Sequence, residues 1–232
     1  MNNSVLACLG NIFVEPKKAL QDFRPHTAWW LYPIIITIVV VVAWYIWYFL
    51  TVDIGWLANQ MIAAMGDKYS SDQLDQMRQN FTRKYFLIFG IIGGIFGIII
   101  ISLLQALYFF MVCKIGGYEE QSYGRWFNFT AWTSFPNVLA YVAMAITYLF
   151  ASSQTSFYAA DITSLNTLLF HLPMSNHLMG LASSVHLTTF WVLGLMSVGF
   201  AQWTKQSLTK STAIVLAPWV IIYGLILIVK LV

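Results

Sequence analysis

Hydrophobic positions gather into five long runs, at residues 31–50, 85–112, 129–151, 181–203 and 213–229, and none of them carries a charge at its centre. Each run is about as long as the roughly 20 residues a helix needs to cross the hydrocarbon core of a bilayer. A backbone exposed to lipid must satisfy its own N–H and C=O groups, so the runs predict helices and not open strands. The expected fold class is all-α. It is a polytopic membrane protein, a bundle of five transmembrane helices, with residues 1–30 as a cytoplasmic or interfacial N-terminal segment and 31–232 as the transmembrane domain.

The polar stretches between the runs add two shorter elements. Before the first run, CLGNIFVEPKKALQDF alternates apolar and charged residues and predicts a short interfacial helix. Phe13, Val14, Leu20 and Phe23 would face lipid, and Lys17 and Lys18 would meet anionic headgroups. In the loop at 51–84, Ser70 and Ser71 precede an acidic turn and Leu74, Met77 and Phe81 at spacings of three and four. That pattern predicts an amphipathic helix covering the ends of its neighbours. Trp29, Trp30 and Tyr32 at the inner boundary of the first span, and Trp44, Tyr45, Trp47 and Tyr48 at its outer one, read as interfacial aromatic belts.

Composition agrees with the pattern. With 59% hydrophobic and 9% charged residues and a mean hydropathy of +0.70, the chain has too little charge to solvate a water-soluble domain. The N-terminus lacks a basic start, a compact apolar region and a small-residue cleavage site, so the first span is expected to stay in the mature protein. Cys8 and Cys113 fit no metal-ligand spacing and are expected as free thiols. Loop charge sets orientation. With the N-terminus inside, Lys17, Lys18, Arg24, Lys114, Arg125, Lys205 and Lys210 lie inside, against Lys68, Arg78, Arg83, Lys84 and Lys230 outside. The loop at 152–180 has no Lys or Arg. The expected topology is N-terminus inside and C-terminus outside, in a bacterial cytoplasmic (inner) membrane.

Inside the spans, small and polar residues stand out. Gly90 with Gly94, and Gly93 with Gly97, lie four residues apart and allow a helix to approach closely, within the bundle or across a dimer interface. Pro136 and Pro218 each remove a backbone donor at membrane depth. Thr130-Ala131 before Pro136 parallels Thr212-Ala213 before Pro218, and Gln121-Ser122 with Arg125 parallels Gln206-Ser207 with Lys210. The second and third spans, and the fourth and fifth, therefore read as two related helical hairpins, an arrangement that puts transporter sites at the interface of the repeats. Gln105, Asn128, Asn137 and Gln202 are the polar groups at depth, and no Asp, Glu, Lys or Arg lies at mid-membrane. That pattern argues against a proton-coupled pump, a charged-filter channel or a voltage sensor.

Candidate chemistry is sparse. His171, His177 and His186 are six and nine residues apart and put no pair on a shared helical face, so no metal site is predicted. Paired carboxylates, a Cys/His couple, a His-Glu-x-x-His helix and a nucleotide loop are all missing, which leaves no candidate nucleophile, no cofactor and no enzyme assignment.

Glu15-Pro16 and Phe23 before the first span, Trp30 and Pro33 at its start, GGYEEQSYGRWFNFTAW leading to Pro136, and the closing KQSLTKSTAIVLAPW together resemble a YIP1-domain membrane protein of the bacterial type. The resemblance covers nearly the whole chain and implies a five-helix bundle with a cytoplasmic N-terminus. Eukaryotic relatives act in vesicle traffic and bind small GTPases of the Rab class through cytoplasmic parts. The N-terminal tail here supplies no such domain, and that partner is not carried over. Two readings remain. The first is a non-enzymatic membrane scaffold that packs against a membrane-protein partner or another copy of itself, or organises membrane lipid, without nucleic acid. Its docking surface would be the inner loop, with Arg125 as anchor beside Glu119 and Glu120, because both signs of charge suit a protein partner. The second is a small permease or channel for a neutral or lipid-like solute, with its path between the Pro-kinked helices lined by Gln105, Asn128, Asn137 and Gln202.

Overall fold

The β-branched run at 37–42 would be a poor helix former in water, yet it lies in the middle of a 21-residue helix. Hydrocarbon offers the peptide group no partner, so the helix satisfies what an extended chain would leave bare, and intrinsic propensity gives way. In this computed structural model residues 4–26, 28–65, 69–118 and 121–231 are described, and among them the α-helices are α1 (Val5–Val14), α2 (Pro16–Asp22), α3 (Leu31–Thr51), α4 (Ile54–Met65), α5 (Ser71–Asn80), α6 (Arg83–Gly116), α7 (Tyr123–Ser134), α8 (Val138–Leu149), α9 (Phe157–Ala160), α10 (Met179–Ser183), α11 (Leu187–Thr204) and α12 (Leu208–Leu231).

Four stretches are long and apolar enough to cross a membrane: Leu31–Thr51, Arg83–Gly116, Tyr123–Leu149 and Leu208–Lys230. The fifth expected run is taken by α11, whose 18 residues begin at Leu187 and not at 181. It is the more polar helix because it is largely enclosed by protein, burying Thr188, Thr189, Ser197 and Thr204. The 34 residues of α6 rise about 51 Å, well beyond the roughly 30 Å of a hydrocarbon core.

The chain forms two units, one of Met1–Val39, Phe96–Val138 and Thr188–Ile222, the other of Val40–Ile95, Leu139–Leu187 and Tyr223–Val232. In the first unit the N-terminal segment is helical as expected, but most of the side chains expected at lipid turn into protein, while Leu6 and Val14 stay open. Ser4 caps α1, Pro16 starts α2, and Cys8, Ile12, Ala19, Leu20 and Phe23 are fully buried in protein. Phe13 packs on Phe135 and Trp191, with ring centroids 5.7 and 5.9 Å away. Phe23 stacks on Trp132 at 5.3 Å and meets Trp203 at 5.8 Å. The twelve steps of helix from Trp191 to Trp203 rise about 18 Å, so α1 and α2 are packed along α11. Of the four residues assigned to lipid, Val14 alone is open, at 81% exposure.

Both prolines lie in this unit, and each has its freed carbonyl handled differently. Pro136 turns the chain through a 3-10 segment, Phe135–Asn137, between α7 and α8. The carbonyl four residues back, on Trp132, accepts instead from the Phe135 N–H, and just before it the Thr133 and Thr130 hydroxyls donate to the carbonyls of Phe129 and Phe127. Pro218 sits inside α12 without interrupting it. The carbonyl four residues back, on Ile214, accepts instead from the Tyr108 hydroxyl of α6 at 2.6 Å.

The core of the second unit is aromatic. Trp44 and Tyr48, expected in a belt facing the interface, are 2% and 0% exposed and pack with Phe49, Phe86, Met144 and Tyr148. α4 has no counterpart in the sequence reading. Asp53 sets its start by accepting from the Trp56 backbone N–H at 3.0 Å, and this bond, with one from Gln154, holds the Asp53 carboxyl below its usual value. α5 forms where expected, with Ser70 and Gln73 in a reciprocal capping box, and leaves no residue fully buried. Arg83 donates to the Phe49 and Val52 carbonyls at the end of α3.

Candidate functional site

The polar end of the first unit is built by a helix stop and two matched helix starts. α6 ends where Gly117 adopts φ +62 and the Tyr118 N–H returns to the Cys113 carbonyl at 3.1 Å, a left-handed closure that suits glycine. Gly116 makes room for the Tyr118 ring, since a Cβ there would lie 2.6 Å from it. The Lys210 ammonium stands 4.7 Å from the centre of that ring.

The two Gln-Ser motifs are one structural device used twice. Ser122 accepts from the Arg125 backbone N–H at 3.4 Å and Ser207 from that of Lys210 at 3.3 Å. The Arg125 guanidinium donates to Gln121 Oε1 at 3.0 Å, and the Lys210 ammonium to Gln206 Oε1 at 3.1 Å. Each glutamine therefore holds a cation over the first turn of a helix whose own N-terminus is positive. At the far side of this end Arg24 donates to the Trp203 carbonyl at 3.3 Å, covering the last turn of α11. Together these groups favour an anionic counterpart. Glu119 and Glu120 lie outside the described residues.

Behind these caps the unit is filled with rings. Trp126, Trp132, Trp203, Phe23, Phe129 and Phe200 are all fully buried. Trp126 lies 5.6 Å from Phe200 and 5.5 Å from Trp203, centre to centre. Gly199 lets α2 and α7 close in, as a Cβ there would come 2.5 Å from Phe129 and 2.8 Å from Leu20. The amides sit among these elements. Asn128 donates to the Phe23 carbonyl at 3.0 Å and Gln202 to the Lys17 carbonyl at 3.3 Å. Among the described residues the side-chain oxygens of Asn128, Gln202 and Gln105 are buried with no partner, as are the indole N–H groups of Trp126 and Trp132. Asn137 is half-buried at the 3-10 turn.

The four glycines between residues 90 and 97 of α6 separate into two pairs. A Cβ on Gly90 would lie 2.7 Å from Phe49, and one on Gly94 would lie 2.8 Å from Tyr45. Gly93 and Gly97 have nothing within 4 Å. The first pair serves contact with α3, and the second stands on an open face.

The sequence reading missed one polar pair at a buried carboxylate. His186 Nδ1 lies 2.9 Å from Asp161 Oδ2, and the Thr163 hydroxyl donates to Asp161 Oδ1 at 2.8 Å. Burial pushes the Asp161 carboxyl up, but the His186 bond and charge and the two bonds from Thr163 outweigh it and hold it below its usual value. Asp161 is the sole acid between 152 and 187, and that was the available signal. Among the described residues no three His, Cys, Asp or Glu side chains gather to hold a metal, and both cysteines are buried thiols without a disulfide.

Four helical stretches long and apolar enough to cross a membrane, with no strand among the described residues, define a polytopic helical membrane protein. The family model described as the Yip1 domain matches residues 10–229, and the chain belongs to that family. The Yip1 family is not known as enzymatic. Comparisons with curated proteins and with solved structures give no match.

Proposed function

We propose that this Yip1-family protein is a membrane scaffold whose polar end, at the starts of α7 and α12, docks an acidic surface of a membrane-protein partner. The reading rests on the matched caps that fix Arg125 and Lys210 over two helix starts, in front of a core filled by aromatic side chains. Cations each held by a glutamine lose less freedom on binding than free lysines do. In this reading the end is cytoplasmic, the C-terminus is outside, and Glu119 and Glu120 refine the choice of partner. The test is crosslinking in intact cells followed by identification of captured proteins. Arg125→Glu and Lys210→Glu should each lose a protein that the parent captures, with the amount of folded protein unchanged. The same captured set in all three would refute the docking role.

A second reading is supported by the unpartnered oxygens of Gln105, Asn128 and Gln202. Buried amide oxygens without partners cost free energy that a hydrogen-bond-donating solute offsets on binding. A path for a neutral solute past these residues is the alternative, and accessibility at depth separates the two.

A further inference from the structure

The second unit carries two adjoining depressions of different chemistry. One, of ≈ 350 Å³, is walled by Ile46, Leu50, Leu87, Ile88, Ile91 and Ile92, all aliphatic. The other, of ≈ 680 Å³, lies where α5 leads into α6 and is lined by Gln79, Asn80, Thr82 and Lys84 together with Met77 and Tyr85. Ile88 lines both, so the mixed depression, which Met65 and Phe81 also line, adjoins the apolar one.

Charge decides what fits. The first turn of α6 has Arg83 and Lys84 and no acidic residue, although a helix N-terminus favours an anion. Arg83 is engaged with the carbonyls of Phe49 and Val52. Lys84 is exposed and forms no salt bridge among the described residues. The site thus has a cation flanked by two amides and a hydroxyl at one end, and hydrocarbon alone at the other. A transmembrane helix from another protein would satisfy the groove but would need an acidic residue placed at its end to meet Lys84. A phospholipid has both parts in this order.

We propose that the second unit holds one phospholipid with an anionic headgroup, its phosphate at Lys84, Gln79, Asn80 and Thr82 and an acyl chain along the groove from Ile88 to Ile46. Ile88 is the point the chain must pass.

The experiment is native mass spectrometry of the whole protein, exchanged into detergent with equal phosphatidylglycerol and phosphatidylcholine. The parent should retain one lipid, with phosphatidylglycerol preferred. Lys84→Ala should cut retained phosphatidylglycerol about fivefold and erase the preference, in line with one headgroup cation. Ile88→Trp, which fills the junction, should remove both lipids, while Lys230→Ala should behave as the parent. Unfolding temperatures near the parent's establish that the variants are folded, and Ile88→Phe replaces Ile88→Trp if that variant fails to fold. No retained lipid, equal retention in parent and Lys84→Ala, or a dimer whose formation Ile88→Trp abolishes in place of lipid would each overturn the proposal.

Discussion

At the scale of single residues, glycines give the sharpest contrast. A methyl group on Gly199 meets Phe129 and Leu20, both fully buried and unable to yield. Gly199→Ala should therefore cost about 1–3 kcal/mol through overpacking, despite the better helix propensity of alanine. Gly194, with nothing within 4 Å, should accept alanine without loss. Thermal unfolding in detergent reads both, and equal effects would contradict the packing described. Gly93 and Gly97 should likewise tolerate alanine where Gly90 and Gly94 do not. The small-xxx-small spacing was legible in the sequence. Which pair meets α3 depended on helix rotation, which spacing leaves open. A second residue-scale prediction concerns Asp161. Its folded-state value is lowered, so its contribution is present above the unfolded value of about 3.9 and is lost as pH falls through the lower folded value. Protection of the Leu165 and Leu187 amides, which close the segment onto Val185 and Thr163, should hold from pH 7 to 5 and fail only below about pH 4. Asp161→Asn should weaken it at neutral pH.

At the scale of elements, the N-terminal helices carry the main revision. Their apolar face was legible from the spacing of Phe13, Leu20 and Phe23, but its medium was not, because lipid and protein both reward removing the same area from water. The deciding partners, Trp132, Trp191, Gly199 and Trp203, are more than 100 residues away. Phe23→Ala should cost about 3–5 kcal/mol, the range for a truncated buried aromatic. It should also expose Cys8, which is fully buried in the parent. Maleimide labelling of Cys8 checks this, with a slow reaction in the parent and a fast one in the variant. A segment resting on lipid would show no such difference. The Gln-Ser motifs were visible as a repeat, and their structural meaning is a shared helix start. α4 went unread because its apolar residues fall in a polar loop and Asp53 gave the one starting signal.

For the whole molecule, the runs of apolar residues set the fold class before any contact was known, since hydrocarbon leaves the backbone few choices. α11 was the least legible of the long helices. Its polar residues are buried by neighbours, and periodicity cannot show that enclosure. The amides at depth were found by composition alone, while their roles came from contacts: Asn128 ties α7 to the N-terminal segment, and Gln202 ties α11 to it. On this account the first unit is a filled body that acts from its polar end. The most direct test places single cysteines at Gln105, Asn137 and Gln202 in a background without Cys8 and Cys113, and treats intact membranes with a small charged thiol reagent. The account predicts protection at all three positions, with a loop cysteine labelled normally. Labelling at the three depth positions would mean a water-filled path and would replace the scaffold by the permease.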